Sequence, residues 1–329
     1  MRDELLRQND NLNALRTKWA QDLPQLLAPY KGLVVACSGG LDSTALLHLL
    51  YDFSKEKFHF PLSIFHMNFG LRDESKQEQA FVEDLAQKLQ LPFHSFEVPQ
   101  GERSRQKGVQ KWARELRYEK LQLMAERDGL LVALAHHEDD LAENVVLRMS
   151  RGSGPGSLAG MSEFFHPYWR PLLGVSRKEL EEWAFRHKMP HCHDPSNDTI
   201  KYSRNFVRHR VLPQLENLHP GSSKRIARCA RETQELMEFA RRHVLPLIED
   251  MKGTGVEVDR LRYLPNFLFY EVISCAIGRS SRKKTTHQLL ENIAKMVKAP
   301  RANPSWRLNL PECRWMVKKD GHIFITNQT

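Results

Sequence analysis

From Gly32 onward the apolar positions fall into two rhythms that alternate along the chain. Short apolar runs at 33–37, 61–66, 92–98 and 130–135 have the length of strands. Between and after them, 43–53, 73–90, 106–128, 138–150 and 176–188 repeat apolar residues at three- and four-residue spacing, the period of an amphipathic helix. This alternation predicts an α/β fold with a doubly wound parallel sheet, which binds ligands beyond the carboxyl ends of its strands. Ahead of it, Leu5, Leu6, Leu12, Leu15, Trp19, Leu23 and Leu26 make residues 1–30 an amphipathic helix. Past residue 200 the rhythm becomes helical, at 203–217, 222–249, 260–278 and 285–298. The chain closes on short strand-like runs, Trp306 to Leu310, Trp315 to Lys318 and His322 to Thr326, with Asp320-Gly321 as a hairpin turn between the last two. Three pieces are therefore expected: a helix over 1–30, an α/β domain over 31–200, and a helical domain ending in short strands over 201–329. No internal repeat is visible.

Composition narrows the setting. No apolar stretch approaches the roughly 20 residues of a membrane span, and the charged, amide-rich first thirty residues are not a signal peptide. The five cysteines, Cys37, Cys192, Cys229, Cys275 and Cys313, are odd in number and scattered, which argues against a disulfide framework and for the cytoplasm. The net charge of +9 is unevenly divided. Residues 1–200 carry 25 Lys+Arg against 28 Asp+Glu, a balance of −3, and residues 201–329 carry 24 against 12, a balance of +12. A surplus confined to the helical part points to a polyanionic partner there, nucleic acid above all.

The first strand runs into Cys37-Ser38-Gly39-Gly40-Leu41-Asp42-Ser43, and the next helix starts at once. Paired glycines let the backbone approach an anion, and the helix N-terminus offers unpaired amides. Ser38 and Ser43 add hydroxyls. An acid at position 42 makes sense beside phosphates if it faces Mg²⁺. No lysine follows, so this is not the loop that cradles β- and γ-phosphates in G-x-x-x-x-G-K-[ST] proteins. At the end of the fourth strand, His136-His137 precede Glu138, Asp139, Asp140 and Glu143, and Asp140, Glu143 and Asn144 share one helix face. Arg114 and Arg117, three apart on a helix, can reach toward one anion. His66-Met67-Asn68-Phe69-Gly70-Leu71-Arg72 follows the second strand, where an adenine edge can be read. After Asp194-Pro-Ser-Asn197 come Tyr202, Arg204, Asn205, Arg208 and Arg210, a set able to hold phosphate and stack on a base. The glycine-dense segment 151–160 reads as a lid or substrate loop, and His191, Cys192 and His193 lack the second cluster that a zinc site needs.

The loop resembles the S-G-G-x-D-S pyrophosphate loop of ATP pyrophosphatases. The ordered set H-x-N-x-x-L-R, A-R-x-x-R-Y, H-H-x-x-D-x-x-E, R-G-S-G, R-P-L-L at Arg170 to Leu173, and D-x-S-N-x(6)-R-N-x-x-R resembles the tRNA(Ile)-lysidine synthase family. Phe69, Leu141 and Asn144 stand where that family commonly has histidine, glutamine and threonine. The resemblance implies a cytoplasmic ligase that uses ATP and Mg²⁺, with tRNA(Ile) bearing a CAU anticodon and free L-lysine as partners, no membrane, and a homodimer left open. The wobble cytidine O2 would attack the α-phosphate of ATP, and the lysine ε-amine would then displace AMP. It implies ATP contacts at Ala36, Ser38, Gly39, Gly40, Leu41, Asp42, Ser43, His66 and Met67, with Asp42 toward the metal. Asp42, Arg114, Arg117, His137, Asp140 and Glu143 are the catalytic candidates, and Arg204, Asn205, Arg208, Arg210, Arg282 and Lys283 the tRNA contacts. His137 or Asp140 would take the proton of the lysine amine; alternatively Asp140 and Glu143 would hold its ammonium groups. Two rival readings are a tRNA 2-thiolation enzyme, which would use paired cysteines although the chain has no C-x-x-C, and a non-catalytic protein that binds tRNA or ATP.

Overall fold

The computed structural model describes residues 10–70, 75–99, 109–193, 200, 202–277, 286–299, 305–310 and 314–327. They fall into two compact units, Met1–Leu147 with Met161–Arg228, and Arg148–Gly160 with Cys229–Thr329. The stretch 202–228 thus clusters with the α/β unit, and the glycine-dense segment with the helical one.

The first unit runs α1 (Asp10–Leu27), β1 (Gly32–Ala36), α2 (Leu41–Glu56), β2 (Leu62–Asn68), α3 (Ser75–Leu89), β3 (Phe93–Glu97), α4 (Val109–Asp128), β4 (Leu130–Ala133) and α5 (Glu138–Met149). After α6 (Pro155–Leu158) come β5 (Phe164–Phe165), β6 (Tyr168–Trp169), α7 (Arg177–Arg186), α8 (Ser203–Phe206), a π-helical turn (Val207–Val211), α9 (Leu212–Leu218) and the start of α10 (Ser222–Lys252). The sheet order is β3-β2-β1-β4-β6-β5. Every neighbouring pair is parallel except β5 against β6. The expected doubly wound parallel sheet is present, with one antiparallel strand at its edge.

Strand alternation sorts the buried side chains onto two faces. Leu33, Val35, Ile64, Leu131, Ala133 and Trp169 pack with residues of α1, α2, α3 and α7. Val34, Phe65, Met67, Val132, Leu134 and Tyr168 pack with Leu121, Met124 and Ala125 of α4. Trp19 of α1 is fully buried between Phe53 at 5.7 Å and Trp169 at 5.8 Å, so the N-terminal helix belongs to the first of these cores. Each edge-on aromatic pair adds about 0.5–1.5 kcal/mol to the burial of those rings.

In the second unit, α10 leads to β7 (Val256–Glu257), α11 (Val258–Arg262), α12 (Asn266–Ile277), α13 (His287–Lys298), β8 (Trp306–Leu310), β9 (Arg314–Lys319) and β10 (His322–Asn327). The strands form an antiparallel sheet of order β7-β10-β9-β8. Asp320 and Gly321 both take positive φ, as a two-residue hairpin turn requires. One helix was expected over 260–278, and the structure breaks it into α11 and α12. Pro265 has no amide to continue the first helix, and its carbonyl instead accepts from Phe269 N at 2.9 Å to start the second. The glycine-dense segment is tied by Arg148, whose Nη1 donates to the Ser157 carbonyl and to the Gly160 carbonyl.

Candidate active site

The phosphate loop is shaped by its own hydroxyls. Ser43 Oγ accepts from Ser38 N at 3.1 Å and donates to the Gly40 carbonyl at 3.1 Å, while Ser38 Oγ lies 3.1 Å from it. These serines therefore brace the loop. Gly39 has φ +88, which favours glycine, and a Cβ there would stand a tight 3.3 Å from Val82. The first intrahelical bond of α2 is Thr44 N to the Gly40 carbonyl, which leaves the amides ahead of it without helical acceptors. Cys192 N donates to the Gly39 carbonyl at 2.8 Å, so the segment after α7 is stapled to the loop.

His137 sits at the end of β4, fully buried among three carboxylates. Its Nε2 is 3.7 Å from Asp42 and 3.5 Å from Asp140, and its Nδ1 is 3.6 Å from Asp139. Burial alone would lower its pKa, but the charges of Asp140, Asp139 and Asp42 outweigh burial and raise it. Asp42 is raised by burial, against the pull of His137. Burial opposes ionisation of Asp140 too, yet His137 and Arg204 hold it well below the ordinary carboxylate range. Asp140 Oδ2 accepts from His137 N at 3.1 Å. A capping box of Ser176 and Glu179 fixes the start of α7. There Arg177 N donates to Asp139 Oδ2 at 2.7 Å.

The acids of α5 are met by α8 and the π-helical turn. Arg204 donates to Glu143 at 2.7 Å and to Asp140 at 2.6 Å. Arg208 donates to Glu143 through Nε and Nη2, and to Asp140 at 3.2 Å. Arg204 and Arg208, expected to meet RNA phosphates, instead neutralise a buried acid pair. Two negative and two positive charges then sum to zero, which is how a nearly inaccessible Glu143 stays tolerable. A cavity of about 340 Å³ opens beside this network, lined among others by Asp139, Glu143, Arg177, Arg208 and Glu216.

Other expected residues fall as follows. His66 Nδ1 donates to the Cys37 carbonyl at 2.9 Å, and its buried Nε2 has no partner. Burial lowers its pKa and keeps it neutral. Met67 lies in the α4-side core, Leu41 packs against the opposite core, and Ala36 ends β1. Arg114 lies over the Tyr118 ring at 4.9 Å. Burial pushes the Arg117 guanidinium pKa down, with Arg114 and Arg204 adding repulsion. Asn205 is half-buried and Arg210 exposed, while Arg282 and Lys283 lie outside the described residues. Phe69 packs on Trp112, and Leu141 is buried. Asn144 Oδ1 is buried without a partner. Asp139, Arg170 and Arg177 were not singled out by sequence. Arg170 heads R-P-L-L and Asp139 sits inside the acidic run, which were the available signals.

Asp42 Oδ1 is buried with no hydrogen-bond partner, a donor that suits a hard cation. Among the described residues no group of three or more His, Cys, Asp or Glu side chains could hold a metal by itself. Magnesium fits such a site, with one carboxylate and the remaining positions left to phosphate and water.

A glycine loop at the rim of a parallel sheet, opening a helix and followed by an acid, defines a PP-loop protein. The family model described as PP-loop domain matches residues 13–215. The tRNA(Ile)-lysidine synthase of Parasynechococcus marenigrum is 34% identical over 248 residues, covering 72% of this chain and 72% of that protein. That of Thermotoga maritima is 36% identical over 220 residues, 66% of this chain and 53% of its own length. The U34-tRNA thiolase of Methanococcus maripaludis, solved with its 4Fe–4S cluster, superposes with a TM-score of 0.54 at 18% identity, over 68% of this chain and 80% of that one. That last likeness is one of fold. The chain belongs to the tRNA(Ile)-lysidine synthase family. It spans about half the length of several of the curated relatives it matches.

Proposed function

We propose that this chain uses ATP to adenylate the wobble cytidine of a CAU-anticodon tRNA(Ile), then replaces AMP by the ε-amine of free L-lysine, releasing AMP and pyrophosphate. The convergence of Asp42, His137, Asp140 and Glu143 at one sheet rim beside the phosphate loop is the observation that carries this reading. Loop amides and the N-terminus of α2 receive the pyrophosphate. Asp42 would hold a magnesium ion, which would supply charge neutralisation for the phosphates. Arg114 or Arg117 meets the charge that builds on the α-phosphate.

The lysine amine, with an ordinary pKa of about 10.4, must lose a proton before it attacks. His137 is better placed than Asp140 to take it. Asp140 is committed to Arg204, Arg208 and the His137 amide, and its lowered pKa makes it a weak base. The His137 ring faces the loop and has no full hydrogen bond of its own. Asp140 and Glu143 carry no surplus charge for the ammonium groups, whereas the neighbouring cavity presents acids and arginines together, the pattern that a zwitterionic amino acid requires.

The test is incubation of the chain with ATP, Mg²⁺, radiolabelled lysine and total tRNA. Label in the tRNA is expected, together with tRNA-dependent ATP–pyrophosphate exchange. ATP consumption without lysine transfer would remove this reading. The thiolation reading has less support, because no three cysteines of the described residues gather into a metal-holding group.

A further inference from the structure

The two faces of the sheet carry different chemistry at their carboxyl rim. His137 continues the parity of Leu131, Ala133 and Ala135, which pack on the α2 side, and its ring meets Asp42. His136 continues Val132 and Leu134, which pack on the α4 side. On β6 the alternation sends Trp169 to the α2 side and Tyr168 to the α4 side, so Arg170 follows Tyr168. Arg170 lies within electrostatic reach of both Tyr168 and His136.

Arg114 and Arg117 come from α4 itself. Tyr118 links them to β6, with its ring 5.1 Å from that of Tyr168 and its carbonyl accepting from the Tyr168 hydroxyl at 2.9 Å. Arg170 is only 7% exposed. Its Nη1 donates to the Ser162 carbonyl at 2.9 Å, and its Nε is buried with no acceptor. The partners of the Arg114 and Arg170 side chains among the described residues are neutral: the Tyr118 ring and hydroxyl for Arg114 and the Ser162 carbonyl for Arg170. Arg114 and Arg117 flank Tyr118, Tyr118 packs on Tyr168, and Arg170 two residues further on holds an orphaned buried donor. Guanidiniums from α4 and the end of β6 thus face one rim, a site suited to an anion with several oxygens.

We propose that Arg117 and Arg170, with exposed Arg114 beside them, hold a backbone phosphodiester of the RNA next to the target nucleotide. This rests on the adenylation reading above. In such a transfer the attacking and leaving oxygens lie roughly in line across the α-phosphorus. Pyrophosphate leaves on the α2 side, so the attacking nucleotide comes from the α4 side, where the arginines are. One guanidinium suffices for the α-phosphate, and the rest of the cluster takes a second phosphate. Such a contact sets the register of the RNA without reading its sequence.

The experiment measures binding of a full-length CAU-anticodon tRNA(Ile) to the full chain, in the presence of α,β-methylene ATP, at several salt concentrations. Wild type, Arg170→Gln, Arg117→Gln and Arg170→Lys are compared. The RNAs are unmodified or carry one neutral methylphosphonate at either phosphate flanking the wobble cytidine. Each Gln variant should weaken binding of the unmodified RNA about tenfold. Each should also flatten the log K against log salt slope by roughly 0.7–0.9. Arg170→Lys should retain most of the affinity. One methylphosphonate should cost wild type the same factor and cost the Gln variants nothing further, a result that a folding defect cannot produce. Affinity of Arg170→Gln for the ATP analogue without RNA should not change. Additive losses from variant and methylphosphonate would overturn the proposal. So would lost nucleotide affinity with RNA binding intact, which would give the arginines to ATP alone. Failure of wild type to bind the unmodified RNA would instead remove the functional reading itself.

Discussion

At the carboxyl rim of the first unit's sheet, His137, Glu138, Asp140, Glu143 and Arg170 are buried, whereas the second unit's core is built from residues such as Met251, Phe269, Ile273, Ile293 and Met316. Lys318 is the one buried charged residue of the second unit among those described. Buried charge is costly unless paired and hydrogen-bonded, and often less stabilising than an apolar replacement. The first unit accepts that cost where desolvated charge is needed to tune proton affinity and bind anions. The second unit keeps its cationic side chains largely in solvent, where they can attract a polyanion without weakening the core. One unit thus spends stability on chemistry, and the other keeps the two apart.

The sharpest way to test that contrast is Asp42→Asn. Turnover should fall about a thousandfold or more, because the charge proposed to face the metal is lost. The melting temperature should not drop, since burial already disfavours the charged form of Asp42. Near-normal ATP–pyrophosphate exchange would remove the metal-facing role. Next in size, Glu143→Ala leaves Arg204 and Arg208 with Asp140 as their one remaining carboxylate and should cost about 3–5 kcal/mol. Phe269→Ala in the second unit should cost a similar amount, about 3–5 kcal/mol. Chemical denaturation measures both. Nucleotide binding per folded molecule should suffer only in Glu143→Ala, and loss in both would break the comparison.

On the second unit's side, Arg282→Ala combined with Lys283→Ala should flatten the salt slope of tRNA binding by about 1 to 2, with ATP binding unchanged. An unaltered slope would mean that this pair makes no phosphate contact. The smallest effect concerns His136, whose pKa is pushed down to about 3, first by burial and then, against the pull of Asp140, by Arg170, Arg114 and Arg204. The unfolded chain takes up a proton here below about pH 6.5 and the fold does not, so stability is lost as pH falls from there toward 3. His136→Asn should flatten that part of the stability curve, which denaturation midpoints at pH 7.5 and 5.5 would show.

Much of the first unit was legible because its signals are local. The run from Leu33 to Thr44 shows an apolar strand, two glycines and a helix in order, and the structure repeats it. The same was true of the Asp320-Gly321 hairpin. Strands β5 and β6 were not foreseen, because two residues are too short to display a period. The acid partners of Arg204 and Arg208 were not legible for another reason. Their acids lie more than 60 residues back in the chain, and helical spacing does not say whether a basic face looks toward solvent or inward. Arg170 was quoted only as the head of R-P-L-L and given no role, because its sequence neighbours do not say what it faces, and only the sheet order brings it toward His136.

The π-helical turn at Val207–Val211 has a genetic consequence. Val207 and Leu212 both bury against Ala142. In an α-helix, residues five apart would point about 140° away from each other, and the wider π turn brings them back to one side. The turn amounts to one extra residue inserted into a helix, placed between the arginines that grip the acids and the leucine that anchors α9. Deleting one codon at 209, 210 or 211 would leave Val207 and Leu212 four residues apart, about 40° from each other on an ordinary helix and still on the side of Ala142. Inserting one codon there would place them six apart, about 120° from each other. Single-codon deletions at these three positions should therefore survive selection for function better than single-codon insertions at the same positions.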